Sequence, residues 1–123
     1  VCLLPLTPDT RHILNRKLFL QLNRTSPLGA PVLINAGRGD LQNEEELLQC
    51  LEDGTLGAAT IDVFATEPLA PDSPFWTRPN VVVTPHNAAD TDVDAISKYV
   101  ALQIARFDTG QALENVVDPA RGY

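Results

Sequence analysis

Val32-Leu33-Ile34-Asn35-Ala36-Gly37-Arg38-Gly39 is the stretch on which the fold turns. Three large aliphatic residues stand side by side, so the run is apolar on both of its alternating faces, and it breaks at once into a glycine-flanked arginine. That is the pattern of a short strand inside a parallel sheet, where both faces meet other structure. Three further apolar runs lie outward from it: Val1 to Leu4 before it, and Ala58 to Val63 and Val81 to Val83 after it. Helix-like stretches separate the runs. The alternation predicts an α/β fold, part of a doubly wound parallel sheet covered on both sides.

The connecting segments carry their own signals. Thr7-Pro8-Asp9 supplies a helix cap, a proline at the first helical position and an acid near the positive helix end. Ile13, Leu14, Leu18 and Leu22 then form an apolar stripe, with Asn15 as a point where the helix can restart, and His12 falls in this helix as an exposed residue. Asn23 to Pro31, polar and holding two prolines and a glycine, reads as a loop. Asn43 and Glu46 resemble a capping box ahead of Leu47, Leu48 and Leu51, with Gly54 as the terminator. The last long element has Thr91 as its cap and Asp92 and Asp94 in its first turn. Its stripe is Val93, Ile96, Val100, Ile104 and Phe107, and it ends near Gly110. The remaining residues, 111–123, have no strong period and read as a surface-lying tail.

Composition narrows the function classes. The 123 residues are 44% hydrophobic, enough for a core of one small domain. With 9 Lys and Arg against 16 Asp and Glu the net charge is −7, which offers no basic surface to nucleic acid or to an anionic membrane. No apolar run approaches the roughly 20 residues of a membrane span and no signal peptide opens the chain, so a cytoplasmic location is expected. Cys2 and Cys50 have neither metal-site nor disulfide spacing and read as small core residues. With only His12 and His86 available, no metal site is expected. Val1-Cys2-Leu3-Leu4-Pro5 lacks an initiator Met and reads as a strand already under way, so further chain upstream is expected.

Ligands of open parallel sheets bind at the carboxyl ends of the strands, so the polar residues that follow the apolar runs are the candidates for chemistry. Arg38 is presented between two glycines, and its planar fork suits a carboxylate. Taken alone, it fits a surface ion pair equally well. Asp62 lies at the end of the third run, where a carboxylate needs a partner; it either serves a ligand or caps a neighbouring loop. Glu67 stands in the loop beyond, and Pro85 restricts the turn that projects His86. Each of the last two, alone, is more simply a solvated acid and a structural histidine. Parallel strands would bring Arg38, Glu67 and His86 to one crevice. There an acid beside a histidine favours the imidazolium, a proton donor near neutral pH. A carboxylate-binding arginine beside a proton donor suits a 2-oxo acid. The hydride source is not specified by these residues.

At Leu4-Pro5-Leu6-Thr7-Pro8-Asp9-Thr10, Asn35 to Gly39, Asp62-Val63-Phe64 with Glu67-Pro68, and Thr84-Pro85-His86, the chain resembles the D-isomer-specific 2-hydroxyacid dehydrogenases, over essentially its whole length. Ser73-Pro74-Phe75-Trp76 and the ending Asp118 to Tyr123 resemble the glyoxylate/hydroxypyruvate reductase branch, with Trp76 read as a packing anchor rather than a substrate contact. The resemblance implies that residues 1–110 are the C-terminal part of an NAD(P)-binding Rossmann domain and that 111–123 return toward a substrate domain. It implies Arg38 on the substrate carboxylate, His86 as proton donor and Glu67 as the group that orients and charges His86. Leu4, Pro5, Ala36, Gly37, Arg38, Asp62 and His86 would face the cofactor, Asp62 at the nicotinamide carboxamide. NADP or NAD is the implied cofactor, with the branch favouring NADPH, and a homodimer is the implied assembly of the intact protein. The Gly-x-Gly-x-x-Gly fingerprint is absent, and in this family it would lie upstream of Val1. The resemblance leaves two alternatives to a reductase: a dinucleotide-sensing binding protein of the same fold, and a truncated piece without activity of its own.

Overall fold

The computed structural model describes residues 1–122 and divides into two compact units, Val1–Ala88 and a second one that starts at Ala89. Tyr123, the last residue of the ending that carries the branch resemblance, lies outside the described residues.

The first unit is built on three parallel strands in the order β1 (Val32–Asn35), β2 (Ala58–Ile61) and β3 (Val81–Val83). Leu33 pairs with Ala59 and that with Val81, and Asn35 pairs with Ile61 and that with Val83, so these residues share one face. Their face is the buried one, closed by Leu41, Leu47, Cys50, Leu51, Leu56 and Phe75. On the opposite face Val32, Ile34 and Val82 are exposed, so the apolar runs alternate in burial within the described chain. Cys2 and Cys50 are both buried.

The first apolar run is not a full strand. Cys2 alone bridges Asn35, its N–H donating to the Ile34 carbonyl (2.8 Å) while its carbonyl accepts from Ala36 N–H (3.1 Å). The ladder goes no further because β1 ends at Asn35 and the chain turns there, Gly37 N–H donating to Asn35 Oδ1 (3.1 Å).

The stretch after it is not one long helix either. Thr7 caps a single turn, its Oγ1 accepting from Thr10 N–H (3.2 Å). At His12 the backbone is left-handed (φ 54), which ends the turn, so His12 is exposed in a turn rather than in a helix. The backbone there pairs with the segment after β1: His12 N–H donates to the Asp40 carbonyl (2.9 Å) and Leu14 N–H to the Leu41 carbonyl (2.9 Å). Asn15 then caps the short helix α1 (Arg16–Phe19), whose Phe19 is wholly buried.

The crossover from β1 to β2 runs through α2 (Glu44–Glu52). Asn43 caps it by accepting from Glu46 N–H (3.1 Å), but Glu46 does not complete the capping box, because its carboxylate accepts from Arg16 N–H (2.7 Å) instead. Gly54 (φ 77) follows the helix. Between β2 and β3 there is only a 3-10 turn, Pro74–Trp76, since Pro68, Pro71, Pro74 and Pro79 leave no stretch that can propagate a helix.

The second unit contains α3 (Val93–Asp108). Its cap is Asp92 rather than Thr91: the helix starts at Val93, and the Asp92 carboxylate accepts from Ala95 N–H (3.0 Å), the third amide of the first turn. Gly110 (φ 69) follows its end, and the remaining described residues form turns. Val93, Ile96, Val100, Ile104 and Phe107 are all exposed. No helix among the described residues is long and apolar enough to cross a membrane.

Candidate active site

The loops after β1, β2 and β3 meet at the carboxyl end of the sheet, and each is held there by a buried polar group. After β1 that group is Asn35, fully buried at the strand end. Its Oδ1 accepts from Gly37 N–H (3.1 Å) and its Nδ2 donates to the Arg38 carbonyl (3.2 Å), folding the turn around its own side chain. Arg38 emerges from this turn exposed, with Nη1 donating to the Gly37 carbonyl (2.7 Å). Among the described residues it forms no ion pair, so the alternative of a surface salt bridge is not the one adopted. Its Nε and Nη2 make no hydrogen bond among the described residues and can bind an anion.

Two glycines make the turn possible by their lack of a side chain. A Cβ on Gly39 would overlap the Phe64 carbonyl and crowd the Ala65 nitrogen, so the Arg38 loop lies directly on the backbone of the loop after β2. A Cβ on Gly37 would come within 2.7 Å of Leu41 Cδ1 and 2.9 Å of the Leu4 carbonyl oxygen. The structure thereby brings Leu4 against Gly37, with Ala36 and Pro5 adjoining. Leu4 and Pro5 are exposed, and the Pro5 carbonyl accepts from the Thr10 hydroxyl (2.8 Å).

Asp62, immediately after β2, is buried. Its Oδ1 accepts from the Thr84 hydroxyl and from Asn87 N–H (3.0 Å), and its Oδ2 from Ala88 N–H (3.0 Å). Burial pushes this carboxyl's pKa up, but the Thr84 hydroxyl and the Ala88 and Asn87 amides outweigh it, and the net shift is downward. Asp62 therefore stays ionised and pins the loop that carries His86. Its Oδ2 retains acceptor capacity beyond the Ala88 bond.

Glu67 completes the arrangement. Its Oε1 accepts from Phe64 N–H (2.9 Å) and its Oε2 lies 2.8 Å from His86 Nδ1. The hydrogen bond from His86 and then that from Phe64 N–H lower the Glu67 pKa, against the opposing effect of burial. With Nδ1 committed to an ionised carboxylate, Nε2 is the ring nitrogen left to exchange a proton. His86 itself takes a left-handed backbone (φ 52) in the turn between Pro85 and Asn87.

Arg38, Glu67 and His86 line one cavity of about 250 Å³ together with Leu6 and Phe64. A second cavity, about 310 Å³, shares Phe64, Glu67 and His86 and is walled by Leu69, Trp76 and Pro85. Leu4, Pro5, Ala36 and Gly37 line neither. Trp76 is half-exposed on the second cavity with its indole N–H donating to the Ala70 carbonyl (2.8 Å), while the adjacent Phe75 is the buried one. The packing anchor is thus Phe75, which meets Phe64 ring to ring at 5.6 Å between centroids.

Sequence reading missed Gln42, which is 1% exposed and hydrogen-bonded on both sides. Its Oε1 accepts from Asn35 Nδ2 (2.9 Å) and its Nε2 donates to the Val63 carbonyl (3.1 Å). Its setting among Asp40, Asn43 and Glu44 looks like a solvated stretch, and nothing in the sequence marks it as interior.

The chain has counterparts of known family and known structure. The profile of the family described as "D-isomer specific 2-hydroxyacid dehydrogenase, NAD binding domain" matches residues 1–88, and the chain belongs to that family. Among its relatives, glyoxylate/hydroxypyruvate reductase A of Serratia proteamaculans is 49% identical over 98% of this chain and 37% of that protein. The NADPH-dependent glyoxylate/hydroxypyruvate reductase of Sinorhizobium meliloti, solved in complex with NADP and sulfate, is 59% identical with a TM-score of 0.94. That match covers 98% of this chain and 38% of the solved one. A probable 2-hydroxyacid dehydrogenase of Rhizobium etli, solved with NADP, HEPES and L(+)-tartaric acid, is 50% identical with a TM-score of 0.89, at the same coverage. The chain spans less than two fifths of the length of these relatives.

Proposed function

We propose that the full-length protein containing this chain reduces a small 2-oxo acid such as glyoxylate or hydroxypyruvate to the D-2-hydroxy acid, with NADPH preferred over NADH. The observation that carries the reading is the cavity where an unpaired Arg38 faces a His86 held by an ionised Glu67. Arg38 binds the substrate carboxylate through two parallel hydrogen bonds and so fixes the neighbouring carbonyl. His86 Nε2 gives its proton to the carbonyl oxygen as negative charge develops there, and Glu67 stabilises the imidazolium before transfer and holds the ring in place afterwards. When bound, the reduced nicotinamide supplies the hydride that the carbonyl carbon accepts.

The residues available fit such a cofactor: Leu4 and Pro5 are exposed beside Ala36 and Gly37, and Asp62 Oδ2 has acceptor capacity for an amide N–H. We assign residues 1–110 to the NAD(P)-binding domain and 111–123 to the return toward the substrate domain. A cytoplasmic homodimer without nucleic-acid or membrane partners is the setting we propose.

The test is consumption of reduced cofactor at 340 nm by the full-length protein given glyoxylate or hydroxypyruvate, with NADPH and NADH in turn. Turnover with NADPH is expected. A folded protein that binds the cofactor but reduces no 2-oxo acid would favour the dinucleotide-sensing alternative.

A further inference from the structure

The Val63–Phe64 peptide group is gripped at both ends. Gln42 Nε2 donates to its carbonyl (3.1 Å), and its N–H donates to Glu67 Oε1 (2.9 Å). A peptide group is planar, so its C=O and N–H cannot turn independently. Whatever sets the carbonyl direction sets the N–H direction, and this N–H is one of the two groups that hold the Glu67 carboxylate, the other being His86. Gln42 is itself fixed, because its Oε1 accepts from Asn35 Nδ2 (2.9 Å) and it is almost wholly buried. A continuous path thus runs from the Arg38 turn through the Asn35 and Gln42 amides and across one peptide plane to Glu67 and the His86 ring.

We propose that Gln42 is a positioning residue for the Glu67–His86 pair, acting through the Val63–Phe64 peptide. This deepens the reductase reading and rests on it for its effect on turnover. An apolar side chain at position 42 would leave the buried Val63 carbonyl without the partner it has in Gln42. What the amide adds is direction. Gln42 touches neither cavity, so its influence on the reaction reaches the reacting atoms through Glu67 on one side and through Asn35 and the Arg38 turn on the other.

The two ends of the site are held differently. The Arg38 turn keeps its own bonds from Asn35 when Gln42 is removed, namely Gly37 N–H to Oδ1 and Nδ2 to the Arg38 carbonyl. Glu67 loses the element that aligns Phe64 N–H. Loss of Gln42 should therefore weaken proton donation more than substrate binding.

The test uses the full-length protein with Gln42→Leu, and with Gln42→Met as a second variant that preserves the length of the side chain where Leu packs too poorly to fold. Two readouts are taken: the downfield NMR resonance of the His86 Nδ1 proton shared with Glu67, and the split between kcat and KM for glyoxylate. The expected result in either variant is an upfield shift of that resonance or its loss to exchange, because a less firmly held Glu67 makes a weaker hydrogen bond to Nδ1. With it, kcat should fall about tenfold while KM stays within about twofold. A folded variant with the wild-type Nδ1 proton resonance and wild-type kcat would overturn the proposal. A resonance that moves in a protein that reduces no 2-oxo acid would retain the positioning role and reject the reductase reading.

Discussion

Replacing His86 by Ala in the full-length protein lowers kcat for glyoxylate about a thousandfold, the middle of the range expected when a positioned general acid is removed. KM changes little, because the carboxylate is held by Arg38. The complementary change, Arg38→Ala, removes the fork that binds the carboxylate and orients the carbonyl. Two charge-assisted hydrogen bonds lost together correspond to about a hundredfold in kcat/KM, carried by both constants. The two residues reach the cavity from different strands, His86 from the loop after β3 and Arg38 from the loop after β1. Their effects should consequently separate in steady-state kinetics. Equal losses in kcat alone for both variants would argue that Arg38 does not bind substrate.

The second large effect is on the architecture. Gly39→Ala places a Cβ inside the Phe64 carbonyl group, and backbone on both sides has to move. The expected cost is about 3 kcal/mol or more, at the upper end of what overpacking produces, read as a lower urea midpoint by circular dichroism. Turnover should fall as well, because the displaced Phe64 N–H is a support of Glu67. Gly54→Ala provides the contrast: the position is left-handed (φ 77) but has open space around it, so only the backbone term of about 1 kcal/mol applies. Similar costs at the two positions would mean that the loops do not pack as closely as described.

What the sequence made legible follows from where each signal lives. Short apolar runs and the turns after them are local, and β1, β2 and β3, the Asn43 cap of α2 and the crevice shared by Arg38, Glu67 and His86 were readable from them. Long-range pairing was not. The apolar stripe from Ile13 to Leu22 has helical spacing, yet His12 and Leu14 bond to Asp40 and Leu41, about 28 residues away in each case, and the helix is interrupted. Glu46 has the right spacing for a capping box, and a backbone amide from α1 takes its carboxylate. Trp76 and Phe75 illustrate the same limit at the level of a side chain: two adjacent aromatics, of which only the three-dimensional packing decides that Phe75 goes in and Trp76 faces the cavity. Gln42 is the extreme case, a polar residue in a polar stretch whose partners, Asn35 and Val63, belong to two different strand ends.

The placement of a substrate-like molecule in the full-length protein tests the site most directly. Oxamate has the carboxylate and adjoining carbonyl of a 2-oxo acid but resists reduction, so a crystal structure with oxamate and NADP⁺ reports the geometry without turnover. The account predicts the oxamate carboxylate on the Arg38 guanidinium and its carbonyl oxygen within hydrogen-bond distance of His86 Nε2, with Nδ1 still on Glu67. Oxamate bound with its carboxylate away from Arg38, or with His86 Nε2 turned from the carbonyl oxygen, would contradict it.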